Sequence, residues 1–274
     1  MKEKMVARDD LRKLHPVLEG KHGDKIIDLG MKLAGIVHAN DVYDGSKHLT
    51  GPAFCKDLLD KLGIKRTVKN AEILDQYKDQ PFITVSNHPY GHVDGIAIIE
   101  TVASRAPKFK MMVNVILGLV DTMSENFITV NPNGLGGKKA ITLNGIKECI
   151  DHIKSGHPLG FFPSGAVSNM LFKKSKMIIE DREWQVSILK LIQKAKKPVI
   201  PIHVSGRNSF SFYVSKIFGW QARNLRLCHE LKNKNGKEMV LTVGEPISPE
   251  ELKKYPDPVA LGEFLKAKTY ALAQ

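Results

Sequence analysis

The sequence is poor in cysteine and in long apolar runs, and its acidic residues are outnumbered. Its cysteines are Cys55, Cys149 and Cys228, which form neither a CxxC pair nor an even-numbered framework. This excludes a disulfide scaffold and favours a reducing, cytosolic compartment. The longest apolar run covers residues 111–120 and includes Asn114, well short of the about 20 residues that a transmembrane helix requires. The first residues carry acids and no apolar core, so we expect no signal peptide.

The charge balance is the most unusual property of the composition. The 274 residues include 41 lysines and arginines against 29 acidic residues, which gives a formal net charge of +12. Hydrophobic residues at 42% are typical of a globular chain that buries one sizeable core, so disorder is excluded. A charge of this sign predicts an anionic partner, whether nucleic acid, a phosphate-bearing substrate, an acidic protein or a lipid surface.

Residues 1–65 are predicted to form an N-terminal amphipathic helical segment. The first helix is predicted from apolar residues at helical spacing, namely Ile26, Leu29, Leu33 and Ile36. A second helix is predicted from Pro52 to Gly63, because proline favours the first turn of a helix and glycine follows its end. Its apolar stripe consists of Phe54, Cys55, Leu58, Leu59 and Leu62. Two such helices pack on a core or lie on a bilayer, and packing is the favoured alternative.

Residues 66–274 alternate between short apolar runs and helical segments. Strands are predicted at residues 82–85, 110–113, 126–130, 159–162, 199–204 and 240–243. Helices are predicted near residues 139–154 and 182–195. The turn at residues 233–236, between apolar runs at 225–231 and 238–243, predicts a late hairpin. The alternation indicates an α/β domain, with a mixed central sheet flanked by helices.

Two histidines and an aspartate follow the first central strand. His88, His92 and Asp94 lie at the carboxyl end of this strand, where reactive groups of open α/β sheets collect. Histidine suits proton transfer near neutral pH, and a carboxylate on its second nitrogen fixes the tautomer. Because no serine or cysteine is clearly paired with them, the pattern predicts direct activation of a substrate hydroxyl. The alternative is a turn that caps a helix beginning near Val93.

Polar glycine turns follow two further strands. The first contains Ser164 and Gly165, and its backbone N–H groups are candidates to bind a phosphate or an oxyanion. The second, at residues 205–209, contains Arg207, which can bind an anion through two hydrogen bonds. A third glycine turn precedes Lys138 and Lys139, but it lacks the GxxxxGK[ST] frame of a phosphate-binding P-loop.

The order of these segments resembles the glycerophospholipid and lysophospholipid acyltransferase superfamily over about residues 67–250. Asn87-His88 followed by Asp94 is similar to the family's Asn-His-x4-Asp catalytic motif. The segments at 161–165 and 197–201 resemble its Phe-Pro-Glu-Gly and Val-Pro-Ile-Val-Pro motifs, and residues 243–247 resemble its closing strand and turn. The ordered set is more specific than any one of these motifs.

Three departures from the family pattern bear on the acceptor. Five residues rather than four separate His88 from Asp94, as in a hemolysin-like branch that includes lyso-ornithine and glycine lipid O-acyltransferases. Ser164 and Val130 stand where the family has glutamate and an arginine that holds the acceptor phosphate. A valine cannot replace an anion clamp. The resemblance therefore implies a lyso-aminolipid acceptor, with a 1-acylglycerol-3-phosphate acyltransferase that makes phosphatidic acid as the alternative.

The resemblance implies a mechanism and a location. His88 would remove the proton from an acceptor hydroxyl, and the oxygen would attack an acyl thioester of acyl carrier protein or coenzyme A, while Asp94 orients His88. Asn87, Ser164, Gly165, Arg207, Lys138 and Lys139 are the predicted substrate-binding residues. The backbone around Gly165 is the predicted oxyanion donor. No metal or cofactor is expected, and the enzyme would work as a peripheral protein on the anionic cytoplasmic face of a membrane.

Other interpretations stay open. His88, His92 and Asp94 also resemble the ligands of a metal-dependent hydrolase, but the other histidines are dispersed. Nucleic-acid binding is not expected, because the basic runs are scattered and no recognition motif is visible. The aromatic segment at residues 209–220 is either part of the core or an interfacial segment that rests on lipid.

Overall fold

A computed structural model describes most of the chain. The described residues are 3–12, 16–20, 22–131, 139–173, 176–219, 223, 226–227 and 229–273. Within these ranges no helix has both the length and the apolar character needed to cross a bilayer.

A mixed seven-stranded sheet forms the centre of the protein. Its strands are β1 (Lys65–Lys69), β2 (Ile83–Ser86), β3 (Lys110–Asn114), β4 (Phe127–Val130), β5 (Leu159–Phe161), β8 (Val199–Val204) and β9 (Glu238–Val243). They are ordered β1-β9-β8-β2-β5-β3-β4, and every neighbouring pair is parallel except β8 with β9. A separate antiparallel hairpin consists of β6 (Asn169–Lys173) and β7 (Lys176–Glu180). The predicted α/β class is confirmed.

Helices precede the sheet and cover both of its faces. They are α1 (Arg8–Arg12), α2 (Gly23–Ala34), α3 (Ile36–Ser46), α4 (Gly51–Lys61), α5 (Glu72–Gln76), α6 (Val93–Ala103), α7 (Lys139–Lys154), α8 (Val186–Ala195), α9 (Phe210–Val214), α10 (Pro249–Leu252) and α11 (Pro258–Tyr270). Short 3₁₀ turns occupy Pro16–Glu19, Val115–Leu119, Asp121–Asn126, Ser215–Phe218 and Leu231–Lys234.

The core has two parts, one on each face of the sheet. On one face α4 packs on α6, and the cluster includes Phe54 of α4, Ile98 of α6 and Ile202 of β8. On the other face α8 and α11 contribute to a cluster that includes Ile192 and Leu261. Successive strand residues point to opposite faces, so both faces of the central strands are buried. The carboxyl ends of β2, β5 and β8 therefore emerge together at one edge, between two packed layers.

The N-terminal helices follow the prediction in part. The second predicted helix and its stripe are confirmed, since α4 buries all of the stripe residues. The predicted face of the first helix is wrong, because Ile26 and Leu29 are 48% and 59% exposed while Ile27 and Met31 are buried. Gly35 ends α2 in the left-handed conformation, so no single helix continues to Ile36. The domain boundary after residue 65 stays a prediction.

The predicted late hairpin is wrong, and a different one exists. The described residues just before 231 are helical and residues 231–234 form a 3₁₀ turn, while β9 lies between β1 and β8. An ion pair between Glu230 and Lys234 (3.3 Å), four residues apart in the chain, stabilises this 3₁₀ turn. The true hairpin, β6–β7, was not predicted, and neither was β1.

Candidate active site

The predicted histidine and aspartate meet at the carboxyl end of β2. His88 lies in the loop after this strand, and Asp94 lies in the first turn of α6. His88 Nδ1 is 3.0 Å from Asp94 Oδ2; the Asp94 side chain is fully buried, whereas that of His88 is 13% exposed. No hydrogen bond to His88 Nε2 is found among the described residues. The pair can therefore hold a proton on Nδ1 and leave Nε2 as the acceptor for a substrate proton.

Asp94 is held as a carboxylate by its neighbours. Burial on its own would raise the pKa of Asp94, but the charge and hydrogen bond of His88 and two backbone donors together lower it below its ordinary value. The backbone N–H groups of Tyr90 and Gly91 donate to Oδ2 (2.9 and 3.3 Å), and that of Gly95 donates to Oδ1 (2.9 Å). Asp94 therefore fixes the whole loop as well as the ring of His88.

Phe162 fixes the plane of the His88 ring. The two rings stack with their centroids 3.8 Å apart and an interplanar angle of 24°. Phe162 directly follows β5, the parallel neighbour of β2. The stack brings the start of the Ser164–Gly165 turn against the loop that carries His88, and it leaves the His88 ring little rotational freedom.

A second buried carboxylate, which sequence analysis missed, holds the backbone of His88. Asp181 Oδ1 accepts the backbone N–H of His88 (3.2 Å) and the hydroxyl of Ser168 (2.5 Å), and Oδ2 accepts the indole N–H of Trp184 (3.2 Å). Burial raises the pKa of Asp181 despite these donors. Tyr270 Oη accepts the backbone N–H of Asp181 (2.7 Å), which connects α11 to the site. A lone aspartate after an unpredicted strand gave no signal in the sequence.

Asn87 joins the ends of β2 and β8. Its Oδ1 accepts the backbone N–H of Val204 (2.7 Å), and its Nδ2 donates to the carbonyl of the same residue (2.9 Å). The side chain is buried and both ends of its amide are engaged by backbone. In this structure the predicted substrate-binding residue Asn87 acts as a brace beside His88.

Hydrogen bonds within the turn and from Arg182 occupy polar groups of Ser164 and Gly165. Gly165 has a positive φ of 60°, and its N–H donates to the carbonyl of Phe162 (2.9 Å). The hydroxyl of Ser164 donates to the carbonyl of Ala166 (2.8 Å), and the guanidinium Nε of Arg182 donates to the carbonyl of Ser164 (2.7 Å). The Gly165 amide, the expected centre of the oxyanion site, is therefore occupied in this state of the protein.

The structure describes the side chain of only one of the three predicted cationic residues. Arg207 is exposed in the loop after β8. Lys138 lies outside the described residues, and Lys139 begins α7 with a side chain that is also outside the description. Of these three, only Arg207 is placed near the described site.

His92 serves as the cap of α6. Its Nδ1 accepts the backbone N–H of Val93 (2.9 Å), and its Nε2 is 2.7 Å from the carbonyl of Leu227. Burial lowers the pKa of His92, which favours the neutral ring that this arrangement needs. Both nitrogens are thus engaged by backbone, as expected of the capping alternative. Within the described part of the chain, no group of three or more His, Cys, Asp or Glu side chains could hold a metal ion.

Comparisons with known proteins agree with the motif order. Residues 39–274 match the family described as "Acyltransferase". The lyso-glycine lipid O-acyltransferase of Bacteroides thetaiotaomicron is 30% identical over 88% of this chain and 88% of its own length. The enzyme of the same name from Phocaeicola vulgatus is 26% identical, over 88% of this chain and 86% of its own.

A solved structure is also similar. The 1-acyl-sn-glycerophosphate acyltransferase PlsC from Thermotoga maritima has a TM-score of 0.44 and 16% identity, with 80% of this chain and 81% of that chain covered. The family match covers most of the sequence, including every motif on which the resemblance was based, and the resemblance is confirmed. The chain is an enzyme of the acyltransferase family.

Proposed function

We propose that this enzyme transfers a fatty acyl chain from an acyl thioester to the hydroxyl of a lyso-aminolipid. The observation that carries the proposal is the His88–Asp94 pair, with Nε2 of His88 free of described partners, in a chain of the acyltransferase family. The donor would be a thioester of acyl carrier protein or coenzyme A. The product would be a diacylated membrane lipid.

The proposed chemistry needs only one base and its orienting carboxylate. His88 Nε2 takes the proton of the acceptor hydroxyl while that oxygen attacks the thioester carbonyl. The new C–O bond forms, the C–S bond breaks, and the departing thiolate receives the proton from the imidazolium. Asp94 keeps the other ring proton on Nδ1 and balances the transient positive charge. Holding both substrates at the carboxyl ends of β2 and β5 supplies the remaining acceleration.

The nature of the acceptor is proposed from one substitution and two relatives. Val130, at the end of β4, is buried and apolar where the family pattern places an arginine. Both curated relatives are lyso-glycine lipid O-acyltransferases. Glycine has no hydroxyl, so the acylated oxygen of such a lipid belongs to its fatty chain. A head group of this kind presents an amide and a carboxylate instead of a phosphate.

An assay with competing acceptors tests the proposal. The purified enzyme receives a hydroxyacyl-glycine, a hydroxyacyl-ornithine and a lysophosphatidate of matched chain length, each with acyl carrier protein or coenzyme A thioesters. We expect O-acylation of an aminolipid with a kcat/KM at least about 10-fold above that for lysophosphatidate, measured by mass spectrometry of the products. A preference for lysophosphatidate would replace the proposal by phosphatidic acid synthesis.

A lipid-docking surface is proposed on the β6–β7 hairpin and the segment around α9. Phe172, Phe210 and Ile217 are 72%, 64% and 80% exposed, which is unusual for side chains of this size. Phe212 and Tyr213 of the same segment are buried, so the aromatic stretch is partly core and partly surface. With a net charge of +12, these side chains suit peripheral binding to an anionic bilayer.

The docking surface is tested by removing its apolar side chains. We expect the double variant Phe172→Ser/Ile217→Ser to bind anionic vesicles at least about 10-fold more weakly, because each side chain loses apolar burial in the interface. The measurement is co-sedimentation. Val259→Ser, a 52% exposed position in the first turn of α11, is the control. Equal binding by the wild type and the double variant would reject this surface.

A further inference from the structure

A cavity of about 240 Å³ lies between the β6–β7 hairpin and the loop that leads into α9. A cavity of this size holds several water molecules and suits a small head group with a few methylene groups. The residues that line it and bear on the argument are Met170, Met177, Ile179, Arg207, Asn208 and Phe210. The cavity is therefore apolar on the hairpin side, while Arg207 and Asn208 bring polar groups to the loop side.

The cavity adjoins the loop that carries His88. Asn208 Nδ2 donates to the carbonyls of Pro89 (3.3 Å) and Tyr90 (3.1 Å), the two residues that follow His88. Gly206, with a φ of 100°, allows Tyr90 to approach so closely that a Cβ at this position would overlap its hydroxyl. The polar side of the cavity is thus anchored to the catalytic loop.

Asn208 leaves one buried acceptor without a donor. The residue is 3% exposed, and its Oδ1 has no hydrogen-bond partner among the described residues. The orientation of the amide is fixed, because both partners of Nδ2 are carbonyls and only an N–H group can donate to them. A buried oxygen of this kind is costly unless a ligand or a bound water supplies the missing donor.

Arg207 supplies a cation that the protein does not neutralise locally. Glu230, which contacts this loop, accepts the N–H and hydroxyl of Ser209 and pairs with Lys234. No described carboxylate forms an ion pair with Arg207, and its guanidinium is exposed at the cavity. An arginine in this situation suits a carboxylate, which it can bind through two hydrogen bonds.

The hairpin offers a path for an acyl chain. Met170 pairs with Ile179 and Phe172 pairs with Met177 in the antiparallel register, so these four side chains share one face. Three of them line the cavity. The fourth, Phe172, extends the same face to the exposed end of the hairpin. An apolar chain that leaves the cavity can follow this face toward the lipid surface.

We propose, on the basis of the function proposed above, that this cavity binds the head group of an N-acylated amino acid. Asn208 Oδ1 accepts the amide N–H, and Arg207 binds the free carboxylate. The acyl chain leaves along Met177 and Phe172. Such a lipid carries an amide close to a carboxylate, and a lysophosphatidate does not. Asn208 and Arg207 therefore determine acceptor specificity.

Three acceptors with the same hydroxylated chain test the assignment. They are the N-acylglycine, its methyl ester, which lacks the negative charge, and its N-methyl analogue, which lacks the amide donor. For the wild type we expect kcat/KM for the free acid to exceed that for the ester by roughly 10- to 100-fold and that for the N-methyl analogue by about 10-fold. In Arg207→Ala the ratio of acid to ester should fall to nearly one.

The control is Arg105→Ala, which removes an arginine beyond the opposite end of α6 from Asp94 and should keep the wild-type ratios. Acylation of acid and ester at equal rates by the wild type, or an unchanged ratio in Arg207→Ala, would overturn the head-group assignment while the proposed function stands. If the wild type acylates none of the three acceptors, the head-group assignment fails, and the proposed function fails with it when hydroxyacyl-ornithine is not acylated either.

Discussion

Replacing His88 by alanine should lower the rate of acyl transfer by about 10²–10⁴-fold, because the substrate hydroxyl loses its general base. The ring contributes little to the core, since it is partly exposed and its hydrogen bond is to a carboxylate that retains three backbone donors. The free energy of unfolding should therefore change much less than the activity. Product formation at saturating acceptor and a denaturant titration of the same preparation measure the two effects.

A surface histidine provides the matched control for this substitution. His48 is exposed, between α3 and α4, and His48→Ala should retain wild-type activity. His88→Gln separates the base from the volume of the ring, and it should be as inactive as His88→Ala. A His88→Ala enzyme with full activity would remove His88 from the chemistry, whatever the acceptor.

The parts of the site that the sequence predicted are local. His88 and Asp94 lie six positions apart, on either side of the start of one helix, and a single strand-loop-helix unit brings them together. The α4 stripe was also predictable, because helical periodicity determines which side chains face the core. In contrast, the face of α2 was misassigned because the left-handed Gly35 ends the helix before the pattern does.

The parts that the sequence did not predict depend on distant contacts. Asp181 reaches His88 across 93 positions, and Asn208 reaches Pro89 across 119. Both contacts require the order of strands in the sheet and the placement of the β6–β7 hairpin, which no local periodicity encodes. Each strand of the hairpin has three consecutive apolar residues between polar ends, so the alternation of apolar and polar residues that marks a half-buried strand is absent. Strand preference depends strongly on packing context, and tertiary packing decides the structure of such a stretch.

Replacing Asp94 by asparagine should lower kcat by about 10³–10⁴-fold, although the two side chains have the same shape. Asp94 Oδ2 faces the N–H groups of Tyr90 and Gly91 as well as Nδ1 of His88, and Oδ1 faces the N–H of Gly95. Either orientation of an asparagine amide directs its NH₂ group at one of these donors. If the NH₂ faces His88, the ring must place its proton on Nε2, and the base is lost.

The same substitution should have a pH-dependent effect on stability. The pKa of Asp94 is lowered in the folded state, so its contribution is fully present above its ordinary value of 3.8 and is lost as the pH falls through the folded value. We expect Asp94→Asn to cost about 1–3 kcal/mol in the free energy of unfolding at about pH 5, and a smaller amount below about pH 4. Urea titrations across this range measure it, with Asp79→Asn at an exposed position as the control. A cost that stays constant from about pH 5 to about pH 3 would show that Asp94 does not stabilise the loop as an anion. Wild-type activity in Asp94→Asn would show that Asp94 does not set the tautomer of His88.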